Sequence, residues 1–351
     1  MIDRFLRIRD GRRLTVIDGV VAAALVAIVV VNYVLYSRFG PSGPPLPLRT
    51  IARITIPSTL FDFGPQVLDP RRGRLFIADN DDETIFAVDL ATRRVIGDMG
   101  PTSAINAIAV DSELDRIFAS RDDKGSVGVF DESSLRPIGS VKTGNVVALL
   151  ADQLDRRIYA ARESGDLVAI APANLTIGSP VALGGMPGGM TLDPLSGRIL
   201  VSLNDPSQLV SVDPASGAVV ARTTLSGCRG AGSVAFDPAW KIAYVACTRS
   251  PSLIAVDTNA HRIVGRDGIP YENRSLTLDE RSRRLYAVGS GGMLAIFDVR
   301  AGTIVRMAQD SVDQPSGDVT VDPATNLLYL AVSHTPRRAT LLIDEQTAPR
   351  R

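Results

Sequence analysis

The sequence predicts an all-β fold, a seven-bladed β-propeller of four-stranded blades, preceded by one N-terminal transmembrane helix. Two observations predict the propeller: a unit of about 42 residues recurs seven times, and a strand-like segment before the first unit completes the last one. A third observation, an uncharged apolar run near the N-terminus, predicts the helix. The expected organisation is a cytoplasmic Arg-rich flank (1–18), the helix (19–36), a Pro-rich tether (37–48) and the propeller (49–351).

The N-terminal helix is predicted from charge and length. Residues 19–36 contain no charged side chain and span about 27 Å as a helix, close to the ~30 Å hydrocarbon core of a bilayer. Five Arg residues precede this run and one follows it within residues 1–48, so the positive-inside rule places the N-terminus in the cytoplasm. A cleaved signal peptide is the alternative, but no small-residue cleavage site follows the run. We expect an uncleaved anchor in the cytoplasmic (inner) membrane and a propeller in the periplasm or another extracytoplasmic space.

The tether is short and rich in proline. Residues 40–48 read GPSGPPLPL, which reaches about 28 Å as a polyproline II helix. The propeller is therefore expected to stay close to the membrane.

The repeat is defined by an Asp at the end of a short strand and by an aromatic residue or Leu seven positions later. A period of about 40 to 45 residues is typical of four-stranded propeller blades. The seven pairs are Asp69 with Phe76, Asp111 with Phe118, Asp152 with Tyr159, Asp193 with Leu200, Asp237 with Tyr244, Asp279 with Tyr286, and Asp322 with Tyr329. Since the Asp residues come directly before turn-forming residues, we expect them to cap the turns.

The order of strands within the units predicts how the ring closes. The middle strands are almost continuous apolar runs, such as RIYAA at 157–161, which is typical of sheets buried on both faces. The last unit ends at its third strand, 340–344, and the segment 49–57 resembles a fourth strand. Pairing the two would remove an exposed edge. The face with turns such as 69–73 is then expected to point towards the membrane, because the tether joins the fourth strand on that face.

The recurrent units, such as 73–101 and 282–305, resemble the YVTN family of seven-bladed β-propellers, which is related in fold to lactonase-like and amine-dehydrogenase-type propellers. The resemblance implies the architecture over about residues 49–344. It implies no single activity, because members of the family include binding, surface-exposed and enzyme-associated modules. The single Trp, Trp240, argues against the propellers that carry a Trp in most blades.

The residues that most often perform catalysis are scarce. The chain has two His, two Cys and a formal net charge of zero, and it lacks Gly-x-Ser-x-Gly and His-Glu-x-x-His motifs. We therefore predict no catalytic, cofactor-binding or metal-binding residues and no nucleic-acid partner. Cys228 and Cys247 are candidates for a disulfide in an oxidising compartment, with two buried or free thiols, or a redox site, as the alternatives.

Several loops are candidates for an interaction face. The acidic stretch 79–83 is interpreted as a solvated hairpin tip, with a cation or a basic partner as the alternative. The glycine-rich stretch 184–189 is expected to need positive φ angles in a tight loop. The interaction-face candidates are Asp79, Asp81, Asp82, Glu83, Arg121, Tyr271, Glu272, Arg274 and Arg337.

These features favour a non-catalytic, membrane-anchored propeller that acts as a protein-interaction or scaffold subunit. Its partners would be other membrane or extracytoplasmic subunits, as in a respiratory or photosynthetic complex of the inner membrane. The alternative is a lactonase-like or dehydrogenase-associated enzyme, or a small-ligand binder, with its site at the mouth of the channel that points away from the membrane. The loop residues that would contribute to such a site are Arg121, Asp122, Arg229, Tyr271, Glu272, Arg274, His334 and Arg337.

Overall fold

The computed structural model describes residues 45–58, 63–100, 102, 105–289, 292–312, 317–333 and 339–347. The predicted transmembrane helix at 19–36 and the flank at 1–18 lie outside these ranges, as does most of the tether. Within the described part of the chain, no helix is long and apolar enough to cross a bilayer.

The described residues form seven antiparallel sheets, each of which is one blade. Strands are named in chain order, and each blade is given from its innermost to its outermost strand. Blade 1 contains β2 (Phe63–Asp69), β3 (Arg74–Asp79), β4 (Thr84–Asp89) and β5 (Arg94–Met99); blade 2 contains β6 (Ile108–Asp111), β7 (Arg116–Arg121), β8 (Ser126–Asp131) and β9 (Pro137–Lys142).

Blade 3 differs from the others because its outermost strand is split in two. Blade 3 contains β10 (Val146–Asp152), β11 (Arg157–Arg162), β12 (Asp166–Ala171) and the two short segments β13 (Thr176–Ile177) and β14 (Val181–Ala182). Blade 4 contains β15 (Met186–Asp193), β16 (Arg198–Asp205), β17 (Gln208–Asp213) and β18 (Ala218–Thr224).

The last blade combines strands from both ends of the described chain. Blade 5 contains β19 (Ala231–Asp237), β20 (Ile242–Cys247), β21 (Ser252–Asp257) and β22 (Arg262–Gly268); blade 6 contains β23 (Ser275–Asp279), β24 (Arg284–Val288), β25 (Met293–Arg300) and β26 (Thr303–Ser311). Blade 7 contains β27 (Val319–Val321), β28 (Leu327–Ser333), β29 (Ala339–Gln346) and β1 (Leu48–Ile56). The predicted all-β propeller with seven four-stranded blades is thus confirmed.

The connections between strands define two faces. The turn face carries the connections from the first to the second strand of each blade and from the third to the fourth, such as 69–74 and 89–94. The loop face carries the connections from the second to the third strand and from each blade to the next, such as 79–84 and 99–108. β1 begins on the turn face, because Leu48 lies opposite Gln346 at the end of β29.

The core lies between neighbouring blades. All six side chains of β20 are buried, whereas exposed and less exposed positions alternate along the outermost strand β5. Strands in the middle of a blade pack on both faces, and outer strands have one face in solvent. One cluster between blades 5 and 6 contains Tyr244 and Phe297, and one between blades 7 and 1 contains Ile54 and Ile56 of β1. The N-terminal strand therefore closes the ring by hydrogen bonding and by packing, as predicted.

The seven repeat Asp residues are buried at the turn-face ends of the innermost strands. Each accepts a hydrogen bond of 2.9–3.0 Å at Oδ1 from the backbone N–H two residues later. This is the Asx-turn geometry that the sequence predicts. Four residues after each Asp, the backbone is left-handed, with φ between 52° and 68°. The residues in this left-handed position are Gly73, Asp115, Arg156, Gly197, Lys241, Arg283 and Asn326.

The glycine-rich stretch corrects one expectation. Gly184 has a φ of +83°, as expected for a tight loop. Gly188 and Gly189 do not have a positive φ; instead, they lie against the backbone of Ala231 and Gly232 in the next blade. A Cβ atom at Gly189 would lie 2.9 Å from the carbonyl oxygen of Gly232. These glycines permit close approach of neighbouring inner strands.

Candidate functional site

A disulfide links Cys228 and Cys247 on the loop face of blade 5, with their Cα atoms 5.6 Å apart. It joins the connection that enters β19 to the end of β20. Both residues are buried in the cluster between blades 4 and 5. The bond holds the loop that enters β19 against the end of β20.

The predicted interaction residues lie at different places on the loop face. Asp81, Asp82 and Glu83 lie in the loop between β3 and β4 of blade 1, and Arg121 ends β7 of blade 2. The connection between blades 5 and 6 carries a second group, Tyr271, Glu272 and Arg274, which are exposed. Arg337 and His334 lie outside the described residues.

Asp79 does not belong to the exposed set. Its side chain is fully buried, and its carboxyl group accepts a 3.1 Å hydrogen bond from the backbone N–H of Asp82. Burial raises the pKa of Asp79. Asp79 thus holds the acidic loop in place from its buried side through the hydrogen bond to Asp82. The interpretation of 79–83 as a wholly solvated tip is therefore wrong at Asp79.

The exposed part of the acidic loop lines an open groove of about 500 Å³. Asp81, Asp82 and Glu83 form one wall, and Asp98 and Gly100 from the end of blade 1 form the other. Within the described residues, no three His, Cys, Asp or Glu side chains are placed to hold a metal ion together. The groove thus presents an acidic surface.

A cavity of about 220 Å³ lies where the innermost strands of blades 1, 2, 6 and 7 meet at the loop face. Its polar side chains are Asn80, Asn106, Arg274 and Asp318. The backbone of Gly64, Gly317 and their neighbours lines the rest. Because innermost strands surround the axis of a propeller, this cavity is the loop-face end of the axial channel.

Asp318 is the titratable group that links three blades at this cavity. Its carboxyl group accepts hydrogen bonds from the Ser275 hydroxyl, from the Gln66 backbone N–H at 3.1 Å and from the Val319 backbone N–H at 2.8 Å. Burial raises the pKa of Asp318 to about 6, although these hydrogen bonds oppose the shift. Asp318 therefore changes charge close to neutral pH.

Asp318 was not singled out from the sequence, yet the repeat contains a signal for it. The position four residues before each repeat Asp is occupied by Pro65, Ala107, Ala148, Gly189, Ser233, Ser275 and Asp318. The position one residue earlier is occupied by Gly64, Asn106, Val147, Gly188, Gly232, Arg274 and Gly317. Only one residue in each set is charged, Asp318 in the first and Arg274 in the second. Both line the cavity.

Acidic and amide groups surround the mouth on the side of blades 2 and 3. Asn106 donates a hydrogen bond to Asp122, and Asn145 donates one of 3.1 Å to Glu163. Burial raises the pKa of Asp122, and the nearby charge of Glu163 raises it further. On the loop face of blades 4 and 5, Arg249 donates a 2.9 Å hydrogen bond to Asn204. The loop face thus carries both acidic and basic groups.

A second titratable cluster lies on the turn face between blades 1 and 2. Glu132 is fully buried, and its carboxyl oxygens lie 3.6 Å from an Arg72 nitrogen and 3.8 Å from an Arg74 nitrogen. Burial and the neighbouring Asp69 raise the pKa of Glu132 to about 7, while the two Arg side chains oppose the shift. The pKa of Asp69 is lowered although burial opposes it, because Ser112 donates a 2.9 Å hydrogen bond to it.

We expect Glu132→Gln to stabilise the propeller at alkaline pH. Between about pH 4.5 and 7, folded Glu132 keeps a proton that the unfolded chain has released, so the free energy of unfolding falls as the pH rises through this window. Gln mimics the protonated form. The variant should match the original protein at pH 4.5 and exceed it by about 3 kcal/mol at pH 8, because each pKa unit corresponds to about 1.4 kcal/mol. Urea unfolding at the two pH values measures the difference. A difference that does not vary with pH would contradict the assignment of the titration to Glu132.

Comparison with known proteins supports the fold. No family model matches the chain, and no curated protein matches it. Hydrazine synthase of Kuenenia stuttgartiensis is similar in structure, with a TM-score of 0.70 and 16% identity over 81% of this chain and 95% of that one. A mitotic checkpoint complex contains a similar chain, with a TM-score of 0.71 and 11% identity over 84% of this chain and 91% of that one. At these identities, the similarity shows the propeller fold alone.

Proposed function

We propose that this protein is a membrane-anchored, extracytoplasmic propeller that binds another protein subunit through its loop face and has no catalytic site of its own. The predicted helix 19–36 would be the anchor, with the N-terminus in the cytoplasm. One observation carries the proposal: the loop face exposes groups of both charges, with Asp81 and Glu83 on blade 1 and Tyr271, Glu272 and Arg274 between blades 5 and 6.

The exposed residues have the chemistry of a protein interface. Tyr271 is 59% exposed and is followed by exposed Glu272 and Arg274. Tyr and Arg are enriched among the residues that dominate binding energy. The acidic groove of Asp81, Asp82 and Glu83 offers a complementary surface for basic residues of a partner.

The setting that we propose is a multi-subunit complex of the inner membrane, of the respiratory or photosynthetic kind. The resemblance to the YVTN family agrees with a binding module. One structural neighbour belongs to a mitotic checkpoint complex, so a similar propeller serves there in a protein assembly. The short Pro-rich tether would keep the propeller within reach of other subunits at the same membrane.

Purification of the full-length tagged protein in mild detergent tests the proposal. We expect at least one stoichiometric partner to co-elute and to be identified by mass spectrometry. Tyr271→Asp should weaken this association, because it places a charge in the centre of the proposed interface. Ile138→Asp is the matched control, since Ile138 is 46% exposed on the outer strand β9. A monodisperse single chain, or equal loss with both variants, would refute the proposal.

The axial cavity supports a second candidate function, the binding of a small polar ligand. Arg274 and Asp318 place opposite charges around it, and Asn80 and Asn106 add amide groups. Native mass spectrometry of the purified protein distinguishes this function from the first. A bound small molecule of constant mass that Asp318→Asn removes would favour the ligand-binding function, whereas partner binding that is unchanged in Asp318→Asn would favour the scaffold.

A further inference from the structure

The turn face carries a row of exposed apolar side chains near the axis. Four consecutive blades, 2 to 5, each place one such side chain in the turn between their first and second strands. They are Leu114, Leu154, Leu195 and Trp240, with exposed fractions of 39%, 79%, 71% and 50%. We call this row the apolar arc. It covers four of the seven positions around the axis, since the corresponding turns of blades 1, 6 and 7 carry no large apolar residue at their tips.

The arc is held on rigid turns. The backbone N–H groups of Leu154 and Leu195 donate 3.0 Å hydrogen bonds to the buried Asp152 and Asp193. Lys241, directly after Trp240, is in the left-handed conformation and forms an ion pair of 3.0 Å with Asp193 of the preceding blade. These contacts fix the turns that carry the apolar side chains. The side chains are therefore exposed as part of the folded structure.

Arginines lie beside the arc. Arg156 and Arg157 are exposed after Leu154, and Arg198 is exposed after Leu195, while the exposed acidic residues Asp155 and Glu113 adjoin Leu154 and Leu114. Leu and Trp tips with Arg at their rim are typical of surfaces that lie in the interface of a bilayer, where apolar groups reach the acyl boundary and guanidinium groups contact lipid phosphates. Exposed apolar side chains that share one face of a protein mark a candidate contact surface.

The path of the chain indicates what covers the arc. β1 begins at Leu48 on the turn face, the same face that carries the arc. Only the residues 37–47 separate β1 from the predicted membrane-spanning run, and the Pro-rich part of this segment reaches about 28 Å when extended. With the anchor of the proposed function, a tether of this length would allow the turn face to reach the lipid surface.

We propose that the turn face docks on the bilayer, with Leu114, Leu154, Leu195 and Trp240 inserted at the boundary between headgroups and acyl chains. The proposal rests on the membrane anchor of the proposed function. It adds a second contact with the membrane, one that fixes the orientation of the propeller and directs the loop face away from the lipid.

Trp240 is the only Trp of the chain, so its fluorescence reports on the arc alone. The full-length protein is reconstituted into vesicles of phosphatidylcholine and phosphatidylglycerol with bromine on the acyl chains. We expect the bromolipid to quench Trp240 and to shift its emission to shorter wavelength relative to the protein in detergent. Leu154→Glu combined with Leu195→Glu should abolish both effects without altering the circular dichroism, because both side chains are exposed. Ile138→Glu on β9 is the matched control and should keep them.

Three results would overturn the proposal. If the vesicles capture the protein but bromolipid leaves Trp240 unquenched and acrylamide quenches it freely, the docking is wrong and the anchor stands. If Trp240 is shielded from both quenchers and cross-linking yields a dimer, the arc is an interface between copies of the chain. If the vesicles do not capture the protein at all, the anchor is wrong as well, and the docking that rests on it falls with it.

Discussion

A chain that begins at Pro57, and so lacks β1, is expected to lose its cooperative fold, whereas a chain that begins at Pro45 is expected to keep it. β1 pairs with β29 from Leu48 opposite Gln346 to Ile56 opposite Ala339. Its removal exposes the whole edge of β29 and leaves the core between blades 7 and 1 without two buried side chains, Ile54 and Ile56. Loss of buried Ile side chains costs about 2–5 kcal/mol each. The sum is comparable to the total stability of a typical domain, about 5–15 kcal/mol.

The two truncated chains form a matched pair, because both lack the predicted anchor and differ only in the residues of β1 and its short approach. Size-exclusion chromatography and thermal unfolding by circular dichroism compare them. We expect the longer chain to be monomeric with a single sharp transition, and the shorter chain to aggregate through its open edge. If the shorter chain melted within a few degrees of the longer one, the closing role of β1 would be refuted.

Asp237→Ala should destabilise the propeller by about 3–5 kcal/mol, the range typical of a buried ion pair that loses one partner. Asp237 is fully buried, and both of its carboxyl oxygens lie 2.7 Å from one Arg283 nitrogen. Arg283 belongs to the turn of the next blade, so the pair connects blades 5 and 6. Asp237 also caps its own turn through the backbone N–H of Ala239 at 3.0 Å. The substitution thus removes the cap of the turn in blade 5 and also leaves the Arg283 guanidinium group without its carboxylate partner.

The chain contains a matched control for this substitution. Asp213 caps an outer turn of the same shape through the backbone N–H of Ala215 at 3.0 Å and the Ser216 hydroxyl at 2.7 Å. It is not fully buried and makes no ion pair in the described part of the chain. Asp213→Ala should therefore cost much less than Asp237→Ala in urea unfolding. Equal losses would show that the cap alone, and not the ion pair between blades, explains the effect.

The architecture was predictable from the sequence because each repeat lies within a short stretch of chain and its residues have a direct physical role in the blade. An Asp that caps each turn and an apolar second strand recur in every blade, so counting them yields the number of blades. The closing strand was predictable from the same count. The last unit contains only three strands, and the segment before the first unit contains one strand without a blade, so the two together complete a four-stranded sheet. The strands and their order agree with that count.

The candidate site was less predictable because it depends on residues that converge from distant blades. Asp318 meets Ser275 and Gln66, and Arg274 and Asn80 line the same cavity, at sequence separations that no local motif spans. Burial was also invisible: Asp79 and Glu132 lie beside exposed acidic and polar residues in the sequence, yet both are fully buried. Only packing distinguishes them from their neighbours.

The left-handed residue at the end of each inner turn has a consequence for how the ring assembles. In blade 5 it is Lys241, which pairs with Asp193 of blade 4, and in blade 6 it is Arg283, which pairs with Asp237 of blade 5. At the junction of blades 1 and 2 the charges are reversed, since Asp115 pairs with Arg72. Blades of the same architecture therefore differ in the charged residues at their junctions. At these three junctions, a blade that docked beside the wrong neighbour would leave charges without partners, so the ion pairs favour the native order of blades there.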